Sequence, residues 1–179
     1  MSILRKIIQG SPRVVGTLIV MSIWKVDSHP SIRFATGWDL RQVLQIDRVS
    51  FSRQWNYDTF KSALKDVFFV FEERKILKKL RGFLVASYSE GTNSVMIRKV
   101  AVHPGHRNKG IGTRFIKAVL DELAKMNVRE VNLHVHISNT GAIKLYERLG
   151  FKIVQIDRPD YAEDESFYLM RLNLGKPSD

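Results

Sequence analysis

The chain contains no cysteine. That absence removes disulfides, thiolate zinc sites and a cysteine nucleophile from consideration, and it suits a reducing compartment. Acidic residues are scarce beside basic ones, 18 against 29, leaving a net charge of +11. Bilayer-length apolar runs are missing too. The segment Val14–Trp24 runs for eleven residues, whereas a spanning helix needs about 20. Arg5, Lys6 and Arg13 precede it as in a signal peptide, yet no small-residue cleavage site follows. Residues 1–29 therefore read as an N-terminal extension, 30–174 as one domain and 175–179 as a C-terminal tail. A domain of that size can build its own core, and no repeat or low-complexity tract interrupts it.

The excess charge has three readings: nucleic-acid binding, attraction of an acidic small molecule, or plain solvation. The basic residues are scattered, at Arg5/Lys6, Arg98/Lys99 and Arg107/Lys109 for example. Only Arg74–Arg81 forms a dense run, read here as a turn between strands. A nucleic-acid surface more often interleaves aromatics with its charges.

From Ser31 onward the apolar pattern becomes regular. Ile32–Ala35 predicts a strand, Trp38–Phe51 an amphipathic helix with apolar residues at 40, 43, 44 and 46, and Tyr57–Leu64 a second helix. Val67–Phe71, Gly82–Tyr88 and Val95–Val102 predict three strands joined by turns, one of them Glu90-Gly91-Thr92-Asn93. Ile111, Phe115, Ile116, Val119, Leu120 and Leu123 then recur at helical spacing. Val131, Leu133, Val135 and Ile137 alternate with Asn132, His134 and His136, which is strand spacing. Ala142–Leu149 is a helix stopped by Gly150, and Phe151–Ile156 and Phe167–Leu172 are two final strands. The order β-α-α-β-β-β-α-β-α-β-β predicts an α/β domain, a mixed sheet with helices on its faces.

The most informative stretch is Arg107-Asn108-Lys109-Gly110-Ile111-Gly112-Thr113. Two glycines one residue apart leave backbone N–H groups uncovered, and the helix that follows adds its unpaired N–H groups and partial positive charge. Together they suit a phosphate or pyrophosphate. Gly-x-Gly alone also fits an ordinary loop entering a helix.

With the elements placed, the sequence resembles the GNAT family of acetyl-CoA-dependent N-acetyltransferases. Arg107-x-x-Gly110-x-Gly112 is similar to the family's Arg/Gln-x-x-Gly-x-Gly/Ala loop, and Asn139 through Tyr146 to Gly150-Phe151 to its Asn-x-x-Ala-x-x-x-Tyr-x-x-x-Gly-Phe signature. The resemblance covers roughly residues 31–174. It is strongest to protein N-terminal acetyltransferases, the RimI type and the archaeal and eukaryotic catalytic subunits, through Leu133-His134-Val135-His136-Ile137-Ser138-Asn139, Asp160–Glu165 and Phe51-Ser52-Arg53-Gln54-Trp55. It implies a mixed sheet of about seven strands with about four helices, the fourth and fifth strands splayed. It also implies acetyl-CoA as cosubstrate, no metal, protein N-terminal peptides as acceptors, and a cytoplasmic enzyme without a membrane segment. Ribosome association is left open, and the oligomeric state is not read.

The implied reaction moves acetyl from a thioester to a neutral amine, stabilises an oxyanion, and protonates a thiolate. An α-amine has a pKa near 7.7–8.0 against about 10.4 for lysine; the gap of about 2.5 units is about 3.5 kcal/mol in deprotonation cost. An α-amine thus needs only a modest base. His134 is the candidate base, since imidazole accepts protons near neutral pH; without the resemblance, a core histidine bonded to backbone is the favoured reading. His136 reads as structural or surface. Tyr146 is the candidate acid for the thiolate, with core packing its alternative. Asn139 matches a cofactor-contacting amide, with a helix N-cap as its other role.

The resemblance assigns the oxyanion and the pantetheine arm to backbone groups of Val100, Ala101 and Val102. It assigns the pyrophosphate to Arg107, Asn108, Lys109, Gly110, Ile111, Gly112 and Thr113, with Ala142 nearby, and the peptide cleft to Phe51, Trp55 and Tyr161. The chain departs from the family pattern at four places. Met96 stands where a tyrosine or histidine is frequent, and a thioether cannot act as a base. Arg53 replaces a glutamate, Ser52 a proline, and Asp160 a second tyrosine. The rival expectations are an acetyltransferase for lysine side chains or small amines, and a basic nucleic-acid or ribosome-associated module.

Overall fold

The computed structural model describes residues 31–73, 79–158 and 166–175. Among these, seven strands form one sheet in the order β1-β2-β3-β4-β5-β7-β6. The strands are β1 (Ile32–Phe34), β2 (Val67–Glu73), β3 (Lys79–Ser89), β4 (Ser94–Val102), β5 (Glu130–His136), β6 (Lys152–Asp157) and β7 (Phe167–Asn173). Four α-helices accompany them among the described residues: α1 (Leu40–Ser50), α2 (Tyr57–Ala63), α3 (Ile111–Lys125) and α4 (Thr140–Arg148). Every strand pair is antiparallel except β4 with β5. The expected order of elements is therefore present.

Apolar side chains are buried on both faces of the sheet. On one, α3 and α4 set Phe115, Ile116, Val119, Leu123 and Tyr146 against Leu84, Val95, Ile97, Val131, Leu133 and Val135. On the other, α1 and α2 set Leu40, Val43, Ile46 and Phe60 against Phe68, Val70, Phe83, Val85 and Ala101. Each large apolar side chain so buried contributes about 1.5–3 kcal/mol. The two faces are called the α3 face and the α1 face below.

Polar groups fix the ends of these elements. Arg33 of β1 donates two hydrogen bonds to Asp39, both 2.8 Å, and also pairs with Glu72 of β2. Burial alone would raise the Asp39 carboxyl, but Arg33 and the N–H and hydroxyl of Thr36 hold it below the usual carboxylate range. Asn56 caps α2 by accepting from the Thr59 N–H at 2.8 Å. One expectation is corrected: Lys79 and Arg81 lie in β3 rather than in a turn. Arg81 can occupy a strand because it pairs with Glu73 and hydrogen-bonds the His106 ring. Residues 74–78 of that basic run, the N-terminal extension 1–29 and tail residues 176–179 lie outside the described residues.

Candidate active site

Two irregularities in β4 create the site. Val85 pairs with Lys99 and Ala86 with Ile97, so Arg98 is an extra residue without a partner on β3. Such a bulge reverses the alternation of side chains. Before it, Val95 and Ile97 face α3; after it, Lys99 and Ala101 face α1, while Val100 packs toward the α3 face. In addition, β4 and β5 pair only from Ser94–Glu130 to Ile97–Leu133. Beyond that point β4 runs on to Val102 and β5 to His136 without pairing to each other. The expected splay is thus present. It leaves Val100, Ala101 and Val102 with a backbone edge no strand covers among the described residues, which an extended ligand could pair with.

The glycine loop sits at the mouth of this split. Asn108 and Gly110 both adopt left-handed backbone, φ 59° and 69°, separated by one residue, which turns successive N–H groups into a shallow nest for an anion. Gly110 is the N-cap of α3, so the N–H groups of Ile111, Gly112 and Thr113 belong to the first turn and have no helical acceptor. A Cβ on Gly112 would lie 3.3 Å from Leu145 and 3.7 Å from Val102, so its absence lets α3 close onto α4 and β4. Arg107 turns back and donates from Nε to the Val102 carbonyl at 3.1 Å, tying the loop to the strand end. The nest, the uncovered strand edge and the dipole of α3 together fit a pyrophosphate carrying an extended arm.

His134 and Tyr146 come to opposite sides of the split. Val131, Leu133 and Val135 are packed on the α3 face, so His134 projects from the α1 face. Its Nε2 lies 2.7 Å from Asp157 Oδ2 of β6, and the pair is part-exposed, 44% and 30%. A carboxylate can only accept, so Nε2 carries the hydrogen, and in the neutral ring Nδ1 is the nitrogen with the lone pair. Asp157 is itself held by the Gln155 amide at 2.6 Å. Tyr146 is buried on the α3 face against Phe151, ring centroids 5.7 Å apart, and burial pushes its phenol up to about 12. Asn139 is the N-cap of α4, its Oδ1 accepting from the Ala142 N–H at 3.2 Å, which leaves its amide nitrogen to donate. His136 accepts from the Ser138 N–H and lies edge-on to Phe167, in a structural role.

The loop between α1 and α2 lies on the α1 face. Phe51 and Trp55 lean on the α1-face core, with Trp55 5.2 Å from the Phe60 ring. Arg98 and Lys99 approach Trp55 from the bulge, 5.4 and 5.1 Å from its ring centroid. Met96 is across from Asn132 on the paired part of the strand. Tyr161 lies outside the described residues. Three groups escaped sequence reasoning: Asp157, Asp47 and Lys99. Only a known sheet register could have revealed the first, and only the bulge the other two. A separate cavity of about 610 Å³ opens between α1 and the start of β3, lined in part by Gln42, Lys79, His103 and His106. Burial, aided by the charges of Arg81, Lys109 and His103, lowers the His106 pKa. Among the described residues no cluster of His, Asp and Glu could hold a metal, and no helix is long and apolar enough to cross a membrane.

An anion cradle on one face of a split sheet and an imidazole on the other can bring an activated donor to a nucleophile, the requirement of a group-transfer enzyme. Comparison with known proteins gives that class its family. Residues 38–151 match the Acetyltransferase (GNAT) family model, and the chain belongs to that family: it is an acetyltransferase. Among its relatives is an N-alpha-acetyltransferase of Sulfurisphaera tokodaii, 31% identical over 154 residues that span 80% of this chain and 92% of that protein. The crystal structure of the ribosomal-protein-S18-alanine N-acetyltransferase from Escherichia coli superposes with a TM-score of 0.72 at 25% identity, covering 83% of this chain and 96% of that one. The fold is shared as well with yncA of Salmonella typhimurium, solved with acetyl-CoA, at a TM-score of 0.67 and 20% identity over 83% of this chain and 95% of that one.

Proposed function

We propose that the chain transfers acetyl from acetyl-CoA to the α-amino group of protein N-termini. The observation that carries this reading is the placement of His134 and Tyr146 on opposite faces where β4 and β5 part. Acetyl-CoA enters from the α3 face, its pyrophosphate on the nest of residues 107–113 and its arm along Val100–Val102; it supplies a thioester carbonyl already activated for attack. The acceptor chain enters from the α1 face past Phe51 and Trp55. His134 Nδ1 takes the proton that the attacking amine sheds, directly or through one water, while Asp157 holds the ring. The C–N bond forms as the C–S bond breaks. Backbone N–H groups around Val100 and Val102 stabilise the developing oxyanion, and the Tyr146 hydroxyl returns a proton to the thiolate. Its raised pKa keeps that hydroxyl protonated at neutral pH.

An α-amine suits this site because one part-exposed imidazole is a modest base, and Met96 contributes no second one. The names of the relatives support the same acceptor class. Radiolabelled acetyl-CoA offered with peptides bearing a free α-amine, and with the same peptides blocked there but carrying lysine, tests the reading. Label is expected on the α-amine. Transfer confined to lysine or to small amines overturns it.

A further inference from the structure

A buried ion pair plays no part in the chemistry above. Lys99 Nζ lies 2.6 Å from Asp47 Oδ1, with the side chains only 7% and 1% exposed. Removing two charges from water costs more than their attraction returns unless further bonds satisfy them, and the further bonds here all reach one segment. The second oxygen of Asp47 accepts from the Trp55 backbone N–H at 2.8 Å. The Lys99 ammonium donates to the Arg53 carbonyl at 3.2 Å. It also lies 4.4 Å from the Phe51 ring centroid and 5.1 Å from that of Trp55, inside cation–π range. One charge comes from α1 and the other from the bulged strand, and between them they grip residues 51–55.

We infer that Asp47 and Lys99 are positioning residues for the acceptor. They clamp the α1–α2 loop so that Phe51 and Trp55 stand where the first residues of the incoming chain pass, and so they set the acceptor KM. The Arg98 bulge makes this possible, since unbroken alternation would turn Lys99 toward α3, beside Ile97. Neither residue belongs to the nest of residues 107–113, and their bonds run to the α1–α2 loop rather than to His134 or Tyr146. The inference rests on the N-terminal acetylation reading for the identity of the acceptor, and on the structure alone for the clamp.

The double variant Asp47→Leu/Lys99→Met tests it, because apolar replacements of similar volume generally preserve a fold that held a buried pair. Hydrogen exchange at the Trp55 amide, without substrate, reads the clamp; steady-state kinetics with an N-terminal peptide read its consequence. Trp55 exchange is expected to quicken by about tenfold or more and the peptide KM to rise by about tenfold. kcat and the acetyl-CoA Kd are expected to stay near wild type. Unchanged exchange overturns the clamp. Quickened exchange with an unchanged peptide KM overturns its role in placing the acceptor, as does an equal loss in peptide KM and acetyl-CoA Kd. A wild-type enzyme that acetylates only other amines overturns the preceding reading instead, and the exchange arm still decides the clamp. Should the double variant not fold, Asp47→Asn gives the same readouts with smaller changes in the same direction, and no change in either overturns the inference.

Discussion

Asp157→Asn isolates what the carboxylate does for His134. The substitution keeps size and keeps an oxygen able to accept from Nε2–H, but it removes the charge 2.7 Å from the ring. A hydrogen bond to a charged group is worth about 1.5–3 kcal/mol when shielded from water, and an exposed ion pair about 0–1 kcal/mol. The pair is 44% and 30% exposed, which places it between these limits at about 1–2 kcal/mol, or a factor of about 5–30. That factor should appear in kcat for peptide acetylation. The acetyl-CoA Kd, which the proposed function assigns to the nest and strand edge on the other side of the sheet, should be unchanged. Asp157→Ala, which leaves Nε2–H no acceptor and frees the ring to turn, should cost more than the asparagine variant. The assay is release of CoA under saturating acetyl-CoA across a range of peptide concentrations, with the Kd from titration calorimetry. Wild-type kcat in both variants would refute the idea that Asp157 serves the base. So would a loss confined to acetyl-CoA affinity.

Three further outcomes follow from named contacts. Tyr146→Phe should lower kcat by about a hundredfold, and wild type should show no loss of kcat near pH ~10, the ordinary phenol value, because burial holds the group at about 12; a kcat midpoint near the ordinary value would remove Tyr146 as the acid. Gly110→Ala should cost about 1–2 kcal/mol through φ 69° alone, seen as a Tm drop of about 2–8 °C together with weaker acetyl-CoA binding, since no atom lies within 4 Å of the added methyl. Asp39 is held below its usual pKa of about 3.9, so its contribution is complete above that value and lost as pH falls through the folded one. Asp39→Asn should therefore flatten the acid fall of Tm, and an unchanged slope would show that the Arg33 contact contributes nothing to acid stability.

The order of elements was legible because the chain's periods are clean. Val131, Leu133 and Val135 alternate with His134 strictly enough to place the histidine on the other face, and the glycine loop falls between a strand and a helix as the resemblance requires. Strand ends were less legible where charge enters a strand. Arg81 looked like turn residue, and only its pairing with Glu73 and His106 explains why it is not. Asp157 was invisible for a different reason: it lies 23 residues from His134 and meets it through the registers of β5 with β7 and β7 with β6, including an irregularity between Ile153 and Gln155. Lys99 was hidden by the period-two reading itself, which assigns it the face of Val95 and Ile97. Asn139 showed one role and leaves the other to experiment: it caps α4 as its position predicts.

The unpaired residue at position 98 gives the enzyme an uneven tolerance to genetic change. Every side chain after it on β4 takes its face from a count, so replacing Arg98 alters one exposed guanidinium whereas deleting it inverts Lys99, Val100, Ala101 and Val102 together. Substitution at position 98 is therefore tolerated far better than a change in the length of this strand. On the proposed function, point substitution in the α1–α2 loop can then change the acceptor while the register of β4 stays undisturbed.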